Sequence, residues 1–130
     1  MPAFNDEEEV KRVRELRLKE EENLAQMLSQ KYNVQYVDLS RVSVSTDALR
    51  LIDEAAARHA NVAAFHRVGK KVDIGALAPE ADETKKVLVE LADRGFTTTV
   101  YMLSHQSMGR AWDYYKDLSF ATETKAGILD

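Results

Sequence analysis

The stretch from residue 61 to residue 103 constrains the fold most, because it joins a hairpin pattern to a strand–helix–strand pattern. A turn at Gly69 separates two runs of β-forming residues, and Gly95 ends a helical pattern that follows Pro79. A helix between two strands of one sheet predicts a right-handed parallel crossover. The predicted segments are strands at 61–67, 72–78 and 96–103 and a helix at 82–94.

Helical patterns on both sides of this stretch complete the predicted fold. Apolar residues recur at helical spacing from Leu24 to Tyr32, and residues 34–39 form a short extended segment. Ser45 or Thr46 can cap a second helix, with a core-facing stripe of Ala48, Leu49, Ile52, Ala55, Ala56 and His59. We therefore predict the α/β class: a small mixed β-sheet, made of the hairpin and the parallel crossover, flanked by helices and preceded by a charged N-terminal helix.

The charged N-terminal helix has little apolar surface. Residues 6–22 include eight acidic and five basic side chains, and their apolar residues are Val10, Val13, Leu16 and Leu18. Continuing Val10 and Val13 by sevens reaches Arg17 and Glu20, which argues against a long coiled coil. A solvated leader helix is favoured, and a partner-binding or coiled-coil role is the alternative.

The predicted domain organisation follows from this change in composition. Residues 1–22 form the charged helix, and residues 23–118 form the α/β domain. Residues 119–130 read as a linker or the start of a truncated next element.

Charge and composition exclude several classes of protein. The chain has 18 basic and 22 acidic residues, a formal net charge of −4, which argues against a protein built to hold nucleic acid. It has no cysteine, so disulfides and zinc–thiolate sites are excluded. No apolar run approaches the ~20 residues of a membrane span, so we expect a soluble cytoplasmic domain.

The sequence has no recognisable catalytic motif. The patterns GxxxxGK[ST], GxGxxG, GxSxG and HExxH are all absent. His59, His66 and His105 have no evident third metal ligand nearby in sequence. We therefore predict no catalytic, cofactor-binding or metal-binding residues, no cofactor, and no enzymatic activity for this chain.

The last helical pattern contains the candidate binding residues. Ser104 can cap this helix, and its core stripe is predicted to be Met108, Ala111, Trp112, Tyr115 and Leu118. Tyr114 lies off that stripe, flanked on the outer side by Arg110 and Asp113. Because aromatic and arginine side chains dominate binding hot spots, we predict a partner-binding surface at Arg110, Asp113 and Tyr114. The alternative, that Tyr114 covers a neighbouring helix, stays open.

Short segments in a fixed order resemble the N-terminal domain of type II secretion and type IV pilus assembly ATPases of the GspE/PilB type. The resemblance extends roughly over residues 23–118. The matching residues are Leu24-Ala25, Tyr36-Val37-Asp38-Leu39, Asp47-Ala48-Leu49, Ala57-Arg58, Gly69-Lys70-Lys71 and Ala78-Pro79.

The resemblance implies a protein-interaction domain in protein transport rather than a motor. It implies docking of the ATPase to the cytoplasmic domain of an inner-membrane platform protein, with the ATPase core on the same polypeptide. A cytoplasmic location, peripheral to the bacterial inner membrane, and a homo-oligomer formed through the full-length ATPase are implied as well.

Departures from the family pattern concern a second implied function. Gln35 stands where the family usually has proline, and Asp53 replaces its helix-breaking proline. Some relatives bind cyclic di-GMP through RLGxxLxxxGxI segments; here that region has Arg12, Arg14 and Arg17 but no glycine. The resemblance therefore does not carry cyclic di-GMP binding over, and a ligand-sensing module for a cyclic dinucleotide is the alternative function.

Overall fold

The computed structural model describes the backbone of residues 2–118 and the side chains of residues 7–118. The predicted linker at 119–130 lies outside the described residues. Within them the elements are α1 (Pro2–Lys31), β1 (Gln35–Tyr36), α2 (Thr46–Leu49), α3 (Glu54–Ala60), β2 (Val62–Val68), β3 (Lys71–Ala76), α4 (Asp82–Asp93), β4 (Thr97–Met102) and α5 (His105–Asp113).

The four strands of the described residues form one mixed sheet in the order β1-β4-β3-β2. Strands β2 and β3 form the predicted antiparallel hairpin, with Gly69 in the left-handed conformation at its turn. Strand β4 pairs parallel with β3 on one side and with β1 on the other. The predicted mixed sheet, with a hairpin and a parallel crossover through α4, is therefore confirmed.

The predicted second helix is wrong as one element, because the chain breaks between α2 and α3 at residues 50–53. Tertiary hydrogen bonds hold this break: Arg94 Nη1 donates to the Leu51 carbonyl at 2.8 Å, and the Tyr115 hydroxyl donates to the Ile52 carbonyl at 2.7 Å. Since the break resets the helical phase, the predicted core positions Ala55, Ala56 and His59 are exposed. Ala57 and Ala60 are buried instead.

Packing of α1 is confined to its C-terminal half. Ala25 and Ser29 are buried there, whereas Val10 and Val13 are more than half exposed. The core itself lies between the sheet and helices α2 to α5, where Leu49, Ile74, Leu91, Leu103 and Met108 are almost fully buried. The first turns of α1 therefore extend beyond the part of the helix that packs on the domain.

Candidate functional site

Helix α5 begins at a side-chain cap that the sequence predicted. Ser104 Oγ accepts a hydrogen bond from the Ser107 amide at 3.1 Å, which satisfies a free N–H of the first turn. Met108 and Ala111 on the inner face are fully buried. The cap and this apolar face fix which side of α5 points outward.

Two aromatic side chains pack the C-terminal end of α5 and the residues after it against the domain. Trp112 Nε1 donates to the Val62 carbonyl at 3.1 Å, and the Arg58 guanidinium lies 5.0 Å from the Trp112 ring centroid. Tyr115 is buried, and burial raises the pKa of its hydroxyl well above the usual range, with the nearby Glu54 and Asp53 adding to the shift. Trp112 and Tyr115 are thus packing residues, as predicted.

The three predicted binding residues lie together on the outer face of α5 and just after it. Arg110, Asp113 and Tyr114 are exposed, with Tyr114 at 38%. They form one wall of a groove of about 500 Å³. We call it the α5 groove; its lining residues are Leu39, Ser40, Arg41, Val42, Ser43, Arg110, Asp113 and Tyr114.

The opposite wall of the α5 groove is the loop at residues 39–43. Asp38 Oδ1 accepts hydrogen bonds from the Ser40 amide at 2.9 Å and the Ser40 hydroxyl at 2.8 Å, which shapes the start of the loop. The Leu39 amide donates to the buried Ser107 Oγ at 3.0 Å. These hydrogen bonds position the start of the loop and join it to α5.

The α5 groove is polar, with an excess of positive charge. Arg41 and Arg110 are cationic, whereas Asp113 is anionic and lies 3.9 Å from Lys116 in an exposed ion pair. Tyr114 supplies an aromatic surface. Such a set of side chains suits an extended polar segment with an acidic group, and it contains no histidine or cysteine for acid–base or nucleophilic chemistry.

The structure does not bring the histidines together. His59, His66 and His105 are exposed on different elements, and His66 Nδ1 lies 3.5 Å from Asp73 on the neighbouring strand. Within residues 7–118 no group of three or more His, Asp or Glu side chains is placed to hold a metal ion.

The turn between β2 and β3 is basic, with Lys70 and Lys71. Cations from this turn, from β2 and from the end of α4 lie around the ring of Phe96. Arg67, Lys70 and Arg94 lie 5.1, 4.6 and 5.5 Å from the Phe96 ring centroid. Cations at these distances from an aromatic ring interact favourably with it. These contacts give Arg67, Lys70 and Arg94 a structural role in packing against Phe96.

Sequence reasoning missed the role of Glu22. Its carboxylate accepts hydrogen bonds from the hydroxyls of Tyr36 and Ser104, so it joins α1 to β1 and to the cap of α5. Burial raises the pKa of Tyr36 well above its usual range, and the hydrogen bond to Glu22 adds to this shift. One acidic residue among the eight in residues 6–22 gives no sequence signal for such a contact.

Among the described residues, no helix combines the length and the apolar character needed to cross a membrane.

Comparison with known proteins finds a similar fold among solved structures. No family model matches the chain, and no curated protein matches its sequence. A solved structure of MshE with cdg (cyclic di-GMP) has a similar fold, with a TM-score of 0.63 and 25% sequence identity. The match covers 71% of this chain and 66% of that one, so it spans just under two thirds of the neighbour.

MshE is a type IV pilus-related ATPase. The similarity supports, at a coarse level, the predicted relationship to the N-terminal domains of such ATPases. A chain of 130 residues with this fold fits a non-catalytic part of an ATPase.

Proposed function

We propose that this chain is the non-catalytic N-terminal protein-interaction domain of a type II secretion or type IV pilus assembly ATPase, and that it docks the motor to the inner-membrane assembly platform. The observation that carries the proposal is the similarity of its fold to MshE. The ordered segment matches between residues 23 and 118 support it independently. The ATPase core would follow on the same polypeptide, at the cytoplasmic face of the inner membrane.

The α5 groove is the proposed docking surface. Tyr114 and Arg110 belong to the residue types that contribute most to binding energy at interfaces, and both are exposed. Arg41 on the facing loop adds a second cation, which favours an acidic residue in the partner. The partner we propose is an extended segment of the platform protein's cytoplasmic domain that places a carboxylate between Arg41 and Arg110.

The experiment is a calorimetric titration of this chain with the cytoplasmic domain of the platform protein from the same organism. The double variant Tyr114→Ala, Arg110→Ala should bind at least about tenfold more weakly, a loss of about 1.4 kcal/mol. The matched control is Lys86→Ala with Val89→Ala on the exposed face of α4, which should bind like the unaltered chain. If both double variants bind as tightly as the unaltered chain, with unchanged melting temperatures, the groove is not the docking surface.

A second candidate function is the sensing of a cyclic dinucleotide, because the MshE structure contains cdg. In this chain the arginines Arg12, Arg14 and Arg17 lie on α1, and Arg41 and Arg110 lie in the α5 groove. Titration with cyclic di-GMP separates the two functions. Saturable binding that is lost on replacing either group of arginines would favour the sensing function, whereas platform binding without nucleotide favours docking.

A further inference from the structure

Helix α1 has an apolar stripe that faces away from the domain. Val10, Val13, Leu24 and Met27 are 59%, 52%, 55% and 68% exposed, and Leu16 at the edge of the stripe is 60% exposed. A helix turns about 100° per residue, so these five side chains fall within a sector of about 120°. The buried Ala25 and Ser29 lie on the other side of the helix, against the domain.

The stripe has the spacing of a coiled-coil seam. Val10 and Val13 occupy the first apolar pair of a heptad, and Leu24 and Met27 occupy the equivalent pair two heptads later. Between them, the seam positions are Arg17 and Glu20, both exposed and without an ion pair among the described residues. The seam therefore reads apolar, cation, anion, apolar over about 26 Å of helix.

This order of residues is complementary to itself when reversed. We propose that α1 pairs antiparallel with α1 of a second copy of this chain, about a two-fold axis between residues 18 and 19. Val10 then faces the partner's Met27, and Val13 faces the partner's Leu24. At the centre, Arg17 faces the partner's Glu20, and by symmetry Glu20 faces the partner's Arg17.

The flanking residues favour the same arrangement. Arg14 and Glu21 follow the seam on one side, and in an antiparallel pair Arg14 approaches the partner's Glu21. A parallel pair would place Arg17 against Arg17 and Glu20 against Glu20, which is repulsive. The polar interruption that argued against a long coiled coil thus becomes the feature that sets the orientation of a short one.

Analytical ultracentrifugation of the full 130-residue chain tests this pairing. The six facing pairs of seam residues make a small interface. We therefore expect a reversible equilibrium between monomer and dimer at chain concentrations of roughly 5–500 μM. Arg17→Glu and Glu20→Arg each create like charges at the centre, and each should raise the dissociation constant about tenfold or more. The matched control Lys19→Glu makes the same charge change as Arg17→Glu, but Lys19 lies about 200° around the helix from Arg17. This variant should leave the dimer intact.

Mixing the two single variants gives the sharpest result. Their chains are complementary only to each other, so an equimolar mixture of the Arg17→Glu and Glu20→Arg chains should form heterodimers that neither forms alone. Arg17, Lys19 and Glu20 are exposed in the single chain, so circular dichroism should show unchanged folding of each variant.

Three results would overturn the pairing: a monomer at every concentration, a dimer that Arg17→Glu leaves unchanged, or a monomer that binds anionic vesicles through Val13 and Leu24. The pairing does not depend on the α5 groove. Docking and dimerisation can therefore fail separately.

Discussion

The Leu39 amide donates a hydrogen bond to Ser107 Oγ at 3.0 Å, although the two residues are 68 positions apart. Leu39 begins one wall of the α5 groove, and Ser107 belongs to the helix that forms the other. The loop and the helix are thus held together at their base by a single buried side chain.

Ser107→Ala should therefore destabilise the domain. It removes the acceptor of the buried Leu39 amide, and an unsatisfied buried donor costs about 1–3 kcal/mol. Urea unfolding measures the free-energy change. Ser43→Ala, an exposed position in the same groove, is the control and should change stability by less than about 0.5 kcal/mol. Equal stability of the two variants would show that the Leu39 amide finds another acceptor.

Tyr115→Phe should lower the stability of the domain, because it removes a hydrogen bond that holds the break between α2 and α3. The lost hydroxyl donates to the Ile52 carbonyl at 2.7 Å in a buried setting, so we expect a loss of about 1–2 kcal/mol of unfolding free energy. Chemical denaturation at neutral pH measures it. A variant as stable as the unaltered chain would mean that the break does not need this hydrogen bond.

Stability should also fall at alkaline pH. The pKa values of Tyr36 and Tyr115 are raised above 10.0 in the folded chain, so above about pH 10 the unfolded chain loses these protons first. The stabilisation that follows from the two raised pKa values is fully present below about pH 10. It is lost as the pH rises through the pKa values of Tyr36 and Tyr115 in the folded chain. Unfolding free energies at pH 8 to 11 measure the slope, which the double variant Tyr36→Phe, Tyr115→Phe should reduce. An unchanged slope would contradict this origin.

Gly75→Ala and Gly109→Ala should act in opposite directions. A Cβ at Gly75 would overlap the Leu103 side chain, so overpacking should cost about 1–3 kcal/mol. A Cβ at Gly109 meets open space within helix α5, where alanine should stabilise by up to about 1 kcal/mol. Thermal unfolding compares the melting temperatures of the two variants. A Gly75→Ala chain with the melting temperature of the unaltered protein would contradict the close approach of Leu103.

Removal of residues 1–20 should leave a cooperative melt, because Val10 and Val13 bury little in the single chain. Glu22→Ala should be more harmful than this deletion, since it leaves the hydroxyls of Tyr36 and Ser104 without their acceptor. Differential scanning calorimetry of both proteins decides the order. A greater loss for the deletion would show that the first turns of α1 stabilise the core.

Local patterns predicted the elements that depend on local chemistry. Gly69 and Gly95 adopt the left-handed conformations expected at the hairpin turn and at the end of α4, and Ser104 caps α5. The parallel crossover followed from the order of β3, α4 and β4 along the chain. These features have signals within a few residues, which explains why the mixed sheet could be predicted.

Long-range contacts explain what the sequence did not reveal. The break at residues 50–53 contains no glycine or proline and is held by Arg94 and Tyr115, more than 40 residues away. The loop wall of the α5 groove was not predicted as part of the site for the same reason: its link to Ser107 is tertiary. Arg110, Asp113 and Tyr114 could be grouped beforehand because they share one short stretch.

The most direct measurement for the docking proposal is a two-dimensional NMR titration of this chain with the platform's cytoplasmic domain. We predict that the amide signals of residues 39–43 and 110–114 shift first and in proportion to occupancy, while those of the exposed α4 residues Lys86 and Val89 stay in place. Shifts confined to the basic turn around Phe96 or to α1, with the signals of the α5 groove unchanged, would contradict the account.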